Sequence, residues 1–274
     1  MKWLKRNWTT LLLALIFLAG VGLLAYPTFS DYWNSLHQSQ AIVNYVENMA
    51  NINDELYEEL WDDAVAYNKE LGENGINWML TDEEKEEYWE YLKIDESGIM
   101  AYIDIPVINC SLPVYHGTSE SILQTAVGHI EGSSFPVGGE SSHCVLSGHR
   151  GLPSARLFTD LDKLVEGDTF MLHTLDATLT YEVDQIRIVE PTDLSDLQIE
   201  EGKDFCTLVT CTPYGINTHR LLVRGHRIAN AEEVKVVRVS ADATMMDPVL
   251  VAPFIALPLL LIMLIWLLIG GKKR

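Results

Sequence analysis

Residues 205–228 read FCTLVTCTPYGINTHRLLVRGHRI, two β-rich runs on either side of one turn. Phe205 to Thr210 and Leu221 to Ile228 are rich in apolar and β-branched residues, and Pro213-Tyr214-Gly215 supplies the reversal between them. Cys211 closes the first run and Arg220 opens the second, so hairpin geometry returns the arginine toward the thiol. A thiol at a strand end, next to a turn, projects among backbone N–H groups that suit an oxyanion. Upstream, Ser147-Gly148-His149-Arg150-Gly151 follows the apolar Cys144-Val145-Leu146 and puts an imidazole at a second strand end. Thiol, imidazole and guanidinium are the parts that acyl-thioester chemistry needs: a nucleophile, a proton carrier and a fixed positive charge.

Other β-rich runs are Ala101 to Ile105, His143 to Ser147, Thr169 to His173, Leu179 to Val183 and Ile186 to Glu190. Many short strands separated by Gly and Pro turns predict a mainly β barrel or sandwich from about residue 99. Residues 31–98 read differently. Ile42, Tyr45, Val46, Met49, Ile52, Leu56 and Leu60 recur at helical steps among acidic residues, predicting one helix that lies against the β domain. Gly72 to Gly75 interrupt it, and Thr81-x-x-Glu84 is a capping box for a second helix through about Leu92.

Two uncharged apolar runs lie near the ends. Trp8 to Tyr26 extends roughly 28 Å as a helix and Pro248 to Gly270 about 34 Å, each enough for a hydrocarbon core. Lys2, Lys5 and Arg6 precede the first, and Lys272, Lys273 and Arg274 follow the second. The positive-inside tendency then puts both termini in the cytoplasm and the residues between the spans outside. A cleavable signal is the competing reading of the first run, although no small-x-small site follows it. The expected organisation is residues 1–30 as tail and anchor or signal, 31–98 as an acidic helical segment, 99–230 as the β domain, 231–246 as a juxtamembrane linker and 247–274 as a transmembrane helix with a basic tail.

The formal charge is -20. Six of the nineteen basic residues flank the spans, so the exterior sets thirteen against thirty-nine acids, which excludes a nucleic-acid partner and favours a basic or Lys-bearing one. Of the four cysteines, Cys206 and Cys211 are about 17 Å apart along a strand and cannot pair. Cys110, Cys144 and Cys206 read as small buried hydrophobes, with a Cys110–Cys144 disulfide as the alternative. No Cys/His spacing matches a metal site, so no metal or cofactor is expected.

The stretch Thr207-Leu208-Val209-Thr210-Cys211 with Arg220, and His149 in its own motif, resembles the sortases, bacterial cysteine transpeptidases. Thr210-Cys211-Thr212-Pro213-Tyr214-Gly215 with Asn217-Thr218-His219-Arg220-Leu221-Leu222-Val223-Arg224-Gly225 is similar to class C, the pilus-assembling branch. Tyr102-Ile103-Asp104-Ile105-Pro106, Tyr115-His116-Gly117-Thr118 and Pro153-Ser154-Ala155-Arg156-Leu157-Phe158 extend the likeness over residues 99–228.

The resemblance implies a closed eight-stranded β-barrel that cleaves an LPXTG-like sorting signal between Thr and Gly, with Cys211 as nucleophile, His149 as acid and base, and Arg220 on the oxyanion. Arg224, four residues on, is the rival cation, and the family pattern favours Arg220. The implied acceptor is a Lys amine of a pilin. Anchoring to cell-wall precursor is the alternative, and an inactive membrane-tethered scaffold or adhesion protein is the reading from another class. Class C members often carry an Asp-Pro-aromatic lid, yet no proline lies between Pro27 and Pro106. Trp78, in Gly75-Ile76-Asn77-Trp78-Met79, is the substitute lid candidate, with packing of the helical segment as its plainer role.

Overall fold

The computed structural model describes residues 2–230, which divide into two units at Trp33. Helix α1 runs Lys2–Met49 and takes in Pro27, whose ring removes one backbone hydrogen bond. Its first part is long and apolar enough to cross a membrane, and its side chains there are uncovered, Leu24 at 83% exposure. The expected second span, at 248–270, and the linker before it lie outside the described residues.

The second unit begins on α1. Asn34 donates to the Ser154 carbonyl at 2.8 Å and Gln38 to the Thr125 carbonyl at 2.6 Å. Tyr45 is buried, and its hydroxyl donates to the Met100 carbonyl and accepts from the Leu175 amide. The single helix expected from Ile42 to Leu60 is two: α1 stops at Met49 and α2 spans Asp54–Asn74. The break has a local cause, because Asn53 caps α2 by accepting from the Leu56 amide. Leu60, Ala64, Asn68 and Leu71 form the buried stripe of α2. Asn68 ties it down, bonding both the amide and the carbonyl of Phe135. Gly75 ends the helix at positive φ, and α3 (Asp82–Tyr88) starts on the expected capping box of Thr81 and Glu84. It stops four residues short of Leu92, which turns the chain at φ 51°.

Eight strands follow: β1 (Ile99–Ile105), β2 (Cys110–His116), β3 (Val127–His129), β4 (Ser142–Ser147), β5 (Thr169–Thr174), β6 (Ala177–Val189), β7 (Asp204–Thr212) and β8 (His219–Ile228), with the short helix α4 (Glu120–Leu123) between β2 and β3. They close into a barrel in the order β1-β2-β3-β4-β7-β8-β6-β5. The β2–β3 and β4–β7 pairs are parallel and the others antiparallel. Two expected runs, 179–183 and 186–190, are one strand, β6, irregular between Val183 and Gln185. Strands β2 and β3 were not foreseen. Pro113 disguises β2, but β2 pairs with β3 only from Val114 onward, so the missing N–H costs no bond there.

Inward-facing residues alternate along the strands and fill the barrel: Ile103 and Ile105, Cys144 and Leu146, Phe170 and Leu172, Cys206 and Leu208, Leu221 and Val223. Phe158, from the β4–β5 connection, joins them without exposure. All four cysteines are free. Cys110 lies near the Leu157 carbonyl, while Cys144 and Cys206 are direct partners across the β4–β7 pair.

Candidate active site

Strand β7 presents Phe205, Thr207, Val209 and Cys211 outward, since Cys206 and Leu208 point into the barrel. Cys211 is the penultimate residue of β7 and is half-buried. Across the antiparallel ladder its partner is Arg220, the second residue of β8. The reversal between them, through Pro213 to Asn217, is held by the Ile216 and Asn217 amides on the Pro213 carbonyl. Gly215 and Asn217 take positive φ there, which Gly and Asn adopt most readily. The Arg220 guanidinium leans on this turn, with Nη1 3.2 Å from the His219 carbonyl and 3.5 Å from that of Asn217.

Arg224 is otherwise engaged. Its Nε and Nη2 fork onto the two oxygens of Asp184 at 3.0 Å, Nη1 reaches Glu200 at 3.2 Å, and the guanidinium lies 4.0 Å above the Phe205 ring. It faces Thr207, four residues from the Cys211 end, or roughly 13 Å along the strand. A cation bound this way packs β6 and β7 onto β8 and has little freedom to meet a substrate.

His149 comes from the chain that leaves β4, which runs parallel to β7 with Ser147 opposite Val209. The pairing continues past the strand end. The Gly148 amide donates to the Val209 carbonyl at 3.1 Å, and the Thr210 hydroxyl donates to the Gly148 carbonyl at 2.7 Å. Arg150 then donates to the Thr212 hydroxyl at 3.2 Å. His149 is thus bracketed by residues bonded to both neighbours of Cys211. Gly148 is required by the core: a Cβ there would come 2.7 Å from the Phe158 ring. On the far side, the His149 carbonyl accepts from the Phe158 amide and the Gly151 amide donates to the Thr159 hydroxyl.

Trp78 also lies on this outer face. It packs on the buried cluster of Val145, Leu197, Val209 and Leu222, beside Ile130 and Val189. Val209 is two residues from Cys211 on the same side of β7, so the indole covers the sheet next to the thiol. Its Nε1 is buried without a hydrogen-bond partner among the described residues. The segment approaches so closely that a Cβ on Gly132, at φ 87°, would lie 2.0 Å from the Asn77 carbonyl oxygen. Met79 beside it is 86% exposed.

The structure therefore brings His149, Cys211 and Arg220 to one end of β4, β7 and β8, and sets Trp78 on the same face. Sequence reading passed over Arg150, Thr212 and Tyr214, although each stands inside a motif it had singled out. The ring of Tyr214 lies over Gly151, where a Cβ would meet it at 3.0 Å. With both a thiol and an imidazole beside an arginine, the arrangement is suited to attack on a carbonyl and proton delivery to the departing group.

Residues 103–228 match the sortase domain family. Among curated relatives, the chain is 33% identical to sortase D of Bacillus subtilis over 135 residues, which cover 48% of this chain and 64% of that protein. The chain thus spans somewhat less than two thirds of the curated relatives it matches. Among solved structures, sortase C1 from Streptococcus agalactiae is 55% identical with a TM-score of 0.69, covering 70% of this chain and 100% of that one. Sortase C from Clostridium perfringens, determined with the C-terminal cell wall sorting motif, is 46% identical with a TM-score of 0.62, covering 70% and 100%.

Proposed function

Because the chain belongs to the sortase family, we propose that it is a class C transpeptidase that joins pilin subunits, with Cys211, His149 and Arg220 as its reacting groups. One observation carries the reading: Arg220 is the cross-strand partner of Cys211, and the bonds of Gly148 and Arg150 bring His149 to the other side of the same residue. The likeness to two sortase C structures, one of them determined with a C-terminal cell wall sorting motif, supports a sorting signal of the LPXTG kind as substrate.

The Cys211 thiolate attacks the Thr carbonyl of the signal, forming a C–S bond as the carbonyl pair moves onto oxygen. Arg220 and nearby amides hold that oxyanion. The intermediate collapses, the Thr–Gly bond breaks, and His149 as imidazolium gives its proton to the leaving Gly amine. A thioester remains. A Lys amine of the next pilin gives a proton to His149 and attacks the thioester, releasing the thiolate and leaving an isopeptide bond. Water in place of the amine yields the free acid. No metal or cofactor takes part in these steps.

Trp78 serves as a lid in this reading, shielding the face that the signal occupies. The apolar start of α1 anchors the enzyme, with Lys2, Lys5 and Arg6 on the cytoplasmic side and the barrel outside.

The test is to incubate the detergent-solubilised full chain with an LPXTG peptide and a Lys-bearing pilin domain, with Cys211→Ala as control, and seek the joined product by mass spectrometry. A Cys211-dependent isopeptide adduct is the expected result. Cleavage without that adduct turns the acceptor toward cell-wall precursor, and no reaction with Trp78→Ala as well leaves a scaffold.

A further inference from the structure

We infer that Arg150 is a positioning residue, which holds His149 beside Cys211 by clasping Thr212 and Asp162. The inference rests on the pairing of His149 with Cys211 proposed above. Arg150 directly follows His149, and Thr212 directly follows Cys211. Their side chains meet, Nη1 donating to the Thr212 hydroxyl at 3.2 Å, while Nη2 donates to the Asp162 carboxylate. The link is therefore one residue beyond each proposed reacting group, on the two chains that carry them.

Burial makes this contact more than a surface bond. The Arg150 side chain is 9% exposed and Thr212 7%. The Arg150 Nε is buried with no hydrogen-bond partner among the described residues. Burying a guanidinium with one donor unmet costs stability, and an apolar side chain would fill the space more cheaply. What the apolar replacement lacks is the fork, which reaches the end of β7 with one prong and the β4–β5 connection with the other. Gly151, next in line, lies under the Tyr214 ring of the β7–β8 turn, so the chain after His149 is seated against that turn by a second contact.

The backbone at His149 is fixed from the barrel side by the Gly148 and Phe158 bonds. Those bonds leave the distance from the ring to Cys211 dependent on how the outer end of the loop is moored. Proton transfer requires hydrogen-bond reach, and a displacement of about 1 Å can cost on the order of a hundredfold in rate. Arg150 supplies that mooring and does not itself touch the substrate.

The experiment measures alkylation of Cys211 by iodoacetamide in the solubilised full chain, with the modified peptide counted by mass spectrometry. The variants are Thr212→Val, Thr212→Ser, His149→Ala and the Thr212→Val/His149→Ala double. Thr212→Val keeps the shape and removes the acceptor, so it is expected to slow alkylation about tenfold. Thr212→Ser keeps the hydroxyl and restores the rate, which a packing role would not do. The double variant is expected to be no slower than His149→Ala, because both changes break one pairing. A Thr212→Val rate equal to wild type, a Thr212→Ser rate as low as that of Thr212→Val, or additive losses overturn the clamp while leaving the His149–Cys211 pairing in place. If His149→Ala alone leaves alkylation unchanged, the pairing itself falls and the clamp with it.

Discussion

Arg220 stands directly opposite Cys211 in the β7–β8 ladder, whereas Arg224, four residues along the same strand, is locked to Asp184 and Glu200. The two arginines share a strand and differ in what holds them. Cross-strand neighbours approach within about 5.5 Å at Cα, so a guanidinium at the Arg220 position needs only a rotamer change to reach an oxygen formed beside the thiol.

Their substitutions should therefore separate. Arg220→Ala is expected to lower kcat about a hundredfold or more with little change in thermal stability. Arg224→Ala is expected to destabilise the fold by on the order of 2 kcal/mol, since it strips Asp184 and Glu200 of their partner. Steady-state kinetics together with melting curves check both. Equal kinetic losses would return Arg224 to candidacy.

Trp78→Ala should raise the rate of Cys211 alkylation by uncovering the outer face of β7. Gly132→Ala should do the same without touching the indole, because the new Cβ collides with the Asn77 carbonyl and pushes the segment away. Unchanged reactivity in both variants would reduce Trp78 to packing.

Acid should weaken the fold through His143. Burial holds this imidazole below its ordinary value and outweighs the bond from Nδ1 to the Gln198 carbonyl. The unfolded chain then binds a proton that the folded chain refuses, so stability is full above about pH 6.5 and declines as pH falls through the folded value. Denaturation midpoints at pH 8 and pH 5 should show the loss, and His143→Gln should reduce it.

Tyr45→Phe removes a buried hydroxyl that serves the Met100 carbonyl and the Leu175 amide, and should cost about 1–3 kcal/mol. Activity per folded molecule should persist, since Tyr45 braces α1 on the barrel and lies outside the group of His149, Cys211 and Arg220. A fall in kcat with unchanged stability would contradict that division.

What could be read from the sequence was mostly what short-range chemistry decides. The Cys211–Arg220 pairing is a hairpin property, spanning ten residues with its own turn, and the capping box at Thr81 is equally local. His149 is harder, because its place depends on β4 lying parallel to β7, a pairing between segments about sixty residues apart that neither encodes alone. The family likeness supplied that link. Pro113 and the three-residue length of β3 hid two strands from any period-based reading. The helical stripe from Ile42 to Leu60 misled for the opposite reason: its spacing carries across the Asn53 cap, where the backbone turns and the side chain takes over a helix-end amide. Arg150 stood in plain view inside a motif, but nothing local indicates that its partner is Thr212.

Among the described residues the ladder closes through β1 and β5, so every strand has a neighbour on both sides along part of its length. An extended segment of another molecule therefore meets no strand of the barrel that lacks a neighbour along a whole edge. The same closure works against one copy of the barrel stitching to another by simple strand addition.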